Sequence, residues 1–127
     1  MSTRGQIKVK GSEIMIYKHS DSYPEGVMPT LKEIVKIFAD KRGNDPAYAL
    51  AQIMRAYARR DEEKRQTVLG DDEQEAWHDI YKEPRMTGWG LDCVQHGDIE
   101  YLYEVDLEER TITINDMWEG TKEVVKV

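Results

Sequence analysis

A chain of 127 residues suits one domain, residues 1–127, large enough to bury a core without metal or disulfide staples. Apolar residues at 39% and charged residues at 34% describe a polar but foldable chain. A net charge of −7 argues against chain-wide affinity for nucleic acid or anionic membrane, because phosphate binding needs clustered cations.

An acidic surface serves solubility in most proteins and imitates DNA in a minority. One local cluster runs the other way: Arg55, Arg59, Arg60, Lys64 and Arg65 lie close together. No apolar run approaches a membrane span, and Met1-Ser2-Thr3-Arg4 is followed by no signal-peptide core, so the expected compartment is the cytoplasm. Cys93 is the single cysteine, which rules out an internal disulfide and a cysteine-based zinc site. Its strand-like neighbours suggest a small buried hydrophobe rather than a nucleophile.

In chain order, Ile7 and Val9 alternate with polar residues, Gly11-Ser12 interrupts, and Ile14 to Tyr17 follow. This is a β-hairpin pattern. A loop, His19-Ser20-Asp21-Ser22-Tyr23-Pro24-Glu25-Gly26, leads to Pro29 and the capping-box pattern Thr30-Leu31-Lys32-Glu33. The helix expected from Thr30 to about residue 41 sets Leu31, Ile34, Val35 and Phe38 on one face and stops at Lys41-Arg42-Gly43. Asp45 and Pro46 start a second helix, expected to about residue 60, with Leu50, Ile53, Met54 and Tyr57 on its apolar side. Beyond Arg59 the sequence is polar on every face. A short third helix is expected over Glu73–Tyr81, and it contains the surface pair His78-Asp79.

The last third reads as four strands. Thr87–Gln95 carries Trp89 between two glycines, and His96-Gly97-Asp98 turns the chain. Ile99, Tyr101, Tyr103, Val105 and Leu107 give one apolar face. Thr111–Asn115 and Glu123–Val127 complete the set. The order ββ, then ααα, then ββββ implies an α+β fold, an antiparallel β-sheet with helices packed on one face. Its expected core is Ile7, Val9, Ile16, Leu31, Ile34, Phe38, Leu50, Ile53, Tyr57, Tyr101 and Tyr103.

Chemistry-bearing residues concentrate at two places. The loop after the hairpin offers Tyr17, His19, Asp21, Tyr23 and Glu25, and the later turn offers His96 and Asp98 with Trp89 nearby. If these strand ends adjoin, two imidazoles and two or three carboxylates could hold a divalent metal or pair a general base with an orienting carboxylate. His19, Asp21, His96 and Asp98 are the catalytic candidates, and no metal set is assigned. The same residues have a structural reading, in which Asp21 and Asp98 cap turns and both histidines bond to backbone. Tyr17, Tyr23, Trp77, Trp89, Tyr101, Tyr103 and Trp118 either line a groove or belong to the core. Gly88-Trp89-Gly90 lacks the residues of a phosphate loop, and no serine sits in a nucleophile elbow.

Three signatures resemble a group of small phage, prophage and bacterial proteins: Ser2-Thr3-Arg4 leading into a strand, His19 to Gly26 before a helix, and His96-Gly97-Asp98-Ile99-Glu100-Tyr101-Leu102-Tyr103 before a strand. Ser22 departs from the glycine expected after the aspartate. The resemblance implies a genomic setting and no reaction. The expectation is a binding protein acting stoichiometrically on a host protein or sequestering a small-molecule ligand, with no cofactor, no membrane and no nucleic acid, and with a homodimer left open. The alternative is a small hydrolase or transferase using His19 and His96 with Asp21 or Glu25.

Overall fold

The computed structural model describes residues 3–68 and 88–127. The expected third helix, Trp77 and the pair His78-Asp79 lie outside the described residues, as do the side chains of Lys64 and Arg65.

The alternating N-terminal run forms β1 (Gly5–Val9) and β2 (Met15–Lys18), an antiparallel hairpin with Ile7 opposite Ile16. The first helix, α1, spans Pro24–Arg42 and so starts six residues before the expected Thr30. Tyr23 is its N-cap in extended conformation and Pro24 takes the first turn, where a missing N–H costs nothing. Thr30 therefore caps nothing, and Pro29 sits inside the helix in its second turn, where it removes the bond to the Glu25 carbonyl. Extending the helix backwards buries Val27 and Met28, which a start at Thr30 would have left in a loop. At the other end Gly43, at φ 71°, donates its N–H to the Ala39 carbonyl, the expected stop.

The second helix, α2, spans Pro46–Val68 and continues well past residue 60. Its polar last turns are laced by Arg59–Glu63 and by Arg60, which reaches Glu33 of α1 at 2.8 Å. Four more strands follow: β3 (Trp89–Asp92), β4 (Tyr101–Asp106), β5 (Thr111–Asp116) and β6 (Thr121–Lys126). The fold is α+β, with two helices and six strands among the described residues.

The six strands form one sheet in the order β3-β2-β1-β4-β5-β6. The expected antiparallel sheet is corrected here: β1 and β4 pair in parallel, Gly5 beside Tyr101 and Val9 beside Val105. The reason is the connection from β3 to β4. Residues 93–100 cross the sheet as a strap and return the chain to the end where β1 begins, so β4 leaves in the same direction as β1. All other pairs are antiparallel.

The helices cover one face. Ile7, Val9, Ile16, Tyr103, Val105, Ile112 and Ile114 meet Leu31, Val35, Phe38, Leu50, Ile53 and Tyr57 in the core. Of the expected core, nine residues are buried, while Ile34 and Tyr101 are half-buried and packed against it. The strap crosses the other face. There it buries Ile99 and covers Gln6, which is fully shielded in the middle of the sheet.

Candidate functional site

The strap is pinned by one side chain. The Gln6 amide donates from Nε2 to the Val94 carbonyl at 3.1 Å and accepts the His96 N–H on Oε1 at 2.8 Å. In an alternating strand Gln6 reads as a solvent-facing residue, yet both ends of its amide are used to hold a segment 90 positions away. Held this way, the His96 imidazole stacks on the Tyr17 ring, centroids 4.4 Å apart. Its Nε2 lies 2.9 Å from Asp92 Oδ2. That bond, with the Val94 N–H second, holds the Asp92 carboxyl below the usual carboxylate range.

On its other side the Tyr17 hydroxyl shares a 3.3 Å hydrogen bond with His19 Nδ1. Tyr17 thus joins the two sequence segments: His19 from one, His96 from the other. The partners differ from the expected ones. His96 takes Asp92 rather than Asp98, and Asp98 instead pairs with Arg4. Among the described residues no three His, Cys, Asp or Glu side chains converge as a metal site would require.

The loop from His19 to Gly26 is braced from beneath by Ser22. Its N–H donates to the Thr3 carbonyl, its Oγ donates to the Lys18 carbonyl at 3.1 Å, and its own carbonyl accepts the buried Tyr103 hydroxyl at 2.5 Å. Ser22 packs so closely over Gly5 that a β-carbon there would stand 2.7 Å from the serine β-carbon. The residue that departs from the expected glycine is therefore a structural bracket. The positive φ falls one position earlier, on Asp21 at 54°, a conformation Asp tolerates better than most residues. The Lys18 ammonium reaches back to the Ser20 and Asp21 carbonyls and lies 5.3 Å from the Trp89 ring centroid.

The expected binding residues fall on two sides of the β2 end. Tyr17, His19 and His96 lie on the strap side. Trp89 lies on the helix side, its Nε1 donating to Asp61 Oδ2 at 2.8 Å and its ring packed on Tyr57. Between them, Lys18, Asp21, Tyr23, Tyr57, Arg60 and Asp61 line an open cleft of about 460 Å³. The six of these aromatics that lie among the described residues do not share a groove. Tyr101 and Tyr103 face the helices, and Trp118 projects from the β5–β6 turn. Cys93, expected to be buried, is exposed, because β3 ends at Asp92 and the strap begins there.

Sequence reasoning named Trp118 as an aromatic but not the turn that carries it. Residues 117–120 form a turn held by Asp116 Oδ1, which accepts the Trp118 and Glu119 N–H groups. The β5–β6 turn emerges at the same end of the sheet as His19 to Gly26. This end therefore presents Tyr23 (41% exposed), Met117 (41%) and Trp118 (68%). Around them stand exposed Glu25 and Glu119 and half-buried Glu100 and Asp116. The Asp-x-x-Glu-Gly turn chemistry was readable, but not which end of the sheet it would occupy. No helix among the described residues is long and apolar enough to cross a membrane. Compared with protein-family models, curated proteins and solved structures, the chain matched none of them.

Proposed function

We propose that this chain is a binding protein, a phage- or prophage-type accessory protein that works in the cytoplasm by occupying a basic surface of a host protein. The single observation behind this reading is that three turns distant in sequence emerge at one end of one sheet. Large exposed side chains there, Tyr23, Met117 and Trp118, are surrounded by carboxylates. Aromatic anchors within a charged rim are the usual makeup of a protein-binding hot spot. The loop is braced by the hydrogen bonds of Ser22 and the strap by those of Gln6, so little order has to be imposed on binding. The carboxylates select a cationic partner and speed its arrival.

A photo-crosslinking amino acid placed at Tyr23, at Trp118, and at Tyr48 beside the opposite end tests this in bacterial cells. The reading expects one common adduct from positions 23 and 118 and none from position 48. Adducts from position 48 alone, or different adducts from 23 and 118, contradict it.

A second reading rests on the His96–Asp92 pair, in which a carboxylate orients an imidazole as general acid–base catalysis requires. It makes the chain a small hydrolase or transferase, with Asp92 in the role expected of Asp21 or Glu25. Hydrolysis of an activated ester that falls at least about tenfold in His96→Gln, with a bell-shaped pH profile, would favour it over binding.

A further inference from the structure

The geometry points to the outer edge of β3 as a docking site for an extended segment of a partner protein, added as a seventh strand. The pairing of β2 with β3 sets which backbone groups are free. The His19 N–H donates to the Gly88 carbonyl at 2.8 Å, so residues 19 and 88 form a hydrogen-bonded pair. Alternation along an antiparallel ladder then assigns the inward bonds to Gly90 and Asp92, opposite Tyr17 and Met15. The N–H and C=O groups of Trp89 and Leu91 point the other way, and among the described residues nothing pairs with them. Such a row of unpaired groups is a template for one kind of ligand, another strand.

The surface beside this edge fits the side chains of such a strand. Leu91 is 62% exposed and Ile14 is 42% exposed, both at the margin of an apolar groove of about 470 Å³. Leu50, Met54 and Ala51 of α2 form its floor. The flank of α2 from Ala47 to Ala58 runs about 16 Å at 1.5 Å per residue. A peptide of about five residues in extended form covers that length. One charged side chain lines the groove, Arg55, and no described residue forms an ion pair with it. Charge complementarity therefore asks for a carboxylate among the apolar residues of the incoming strand. The occupant is an extended partner segment with apolar residues at alternate positions and an acidic residue on the same face. The groove, near Ser12 and Ile14 at the hairpin turn, lies toward the end of the sheet opposite Tyr23 and Trp118, so the inference does not rest on the proposed function.

Selection of a random twelve-residue peptide library on the intact chain tests it. Enriched peptides should alternate apolar residues, carry a carboxylate, and shift the Trp89 and Leu91 amide signals when titrated into the ¹⁵N-labelled protein. Leu91→Lys and Arg55→Glu should each weaken the best peptide at least about tenfold, because Lys is among the devices that close natural edges. Both side chains are exposed, and an unchanged thermal midpoint certifies that each variant is folded. Methylating alternate backbone nitrogens of the peptide should abolish binding. Failure to enrich any peptide, or binding undiminished by Leu91→Lys, overturns the proposal. So does a concentration-dependent dimer abolished by Leu91→Lys, which would make a second copy the occupant.

Discussion

Gln6 and Ser22 are two small polar residues that decide where the loops stand. Gln6 is shielded on all sides and spends both ends of its amide on the strap. Gln6→Ala would leave the Val94 carbonyl and the His96 N–H without partners, an expected loss of about 2 kcal/mol in denaturant titration. Gln6→Glu can still accept from His96 but cannot donate to Val94, so it should also destabilise. Gly5 and Ser22 are a contact pair. Gly5→Ala alone should cost about 1–3 kcal/mol through overpacking, and most of that cost should vanish in a Ser22→Gly background. Additive losses in the double variant would show that the close approach is not what Gly5 serves. Neither role was legible in the sequence. A strand that alternates announces which residues face the helices, but a polar residue on the other face is read as wet. Only a strap formed 90 positions later makes it dry. Asp98 was read as a turn cap, but its carboxylate pairs with Arg4, a partner that comes from near the start of the chain and could not be read locally.

At the scale of elements, the periodic segments were readable because each carries its own signal. Both helices, the hairpin and four later strands follow from apolar spacing and turn residues. The start of α1 did not, because two prolines offered two starting points and the capping box pointed to the second. Burial of Val27 and Met28 settles the choice in favour of Pro24. Thr30→Ala should therefore change stability by less than about 0.5 kcal/mol, where loss of a true N-cap costs about 1 kcal/mol. Phe38 is buried between helix and sheet, and Phe38→Ala should cost about 3–5 kcal/mol in the same titration. A loss below about 1 kcal/mol would show that Phe38 is not packed between helix and sheet as described. Parallel pairing of β1 with β4 was not readable, since it depends on which way the strap carries the chain. The outer strand β6 shows how an edge is kept single: the charged Lys122, Glu123 and Lys126 are exposed along it. The β3 edge carries fewer such guards.

Across the whole molecule, two buried phenols tie the loop to the sheet and the start of α1 to α2. Tyr57 of α2 donates to the Val27 carbonyl at 2.7 Å, and Tyr103 of β4 donates to the Ser22 carbonyl. Burial pushes both hydroxyls well above the ordinary tyrosine value near 10. Groups with raised folded values contribute stability that is fully present below the unfolded value and lost as pH rises. The thermal midpoint should therefore hold between about pH 7 and 9.5 and fall steeply above about pH 10, where the unfolded chain ionises and the native one does not. Phenolate absorbance should show Tyr57 and Tyr103 titrating only with the loss of structure. Tyr57→Phe and Tyr103→Phe should each flatten that fall.

One ring joins the two loops, because Tyr17 contacts both His19 and His96. Proton NMR of the unlabelled chain near neutral pH examines this contact without any partner. Cross-relaxation should connect the Tyr17 ring with the ring protons of both His19 and His96, and the His96 ring protons should lie upfield of free imidazole because they stack on the phenol. Free-imidazole shifts for His96 together with no cross-peak to Tyr17 would place the two loops on separate surfaces and contradict the account.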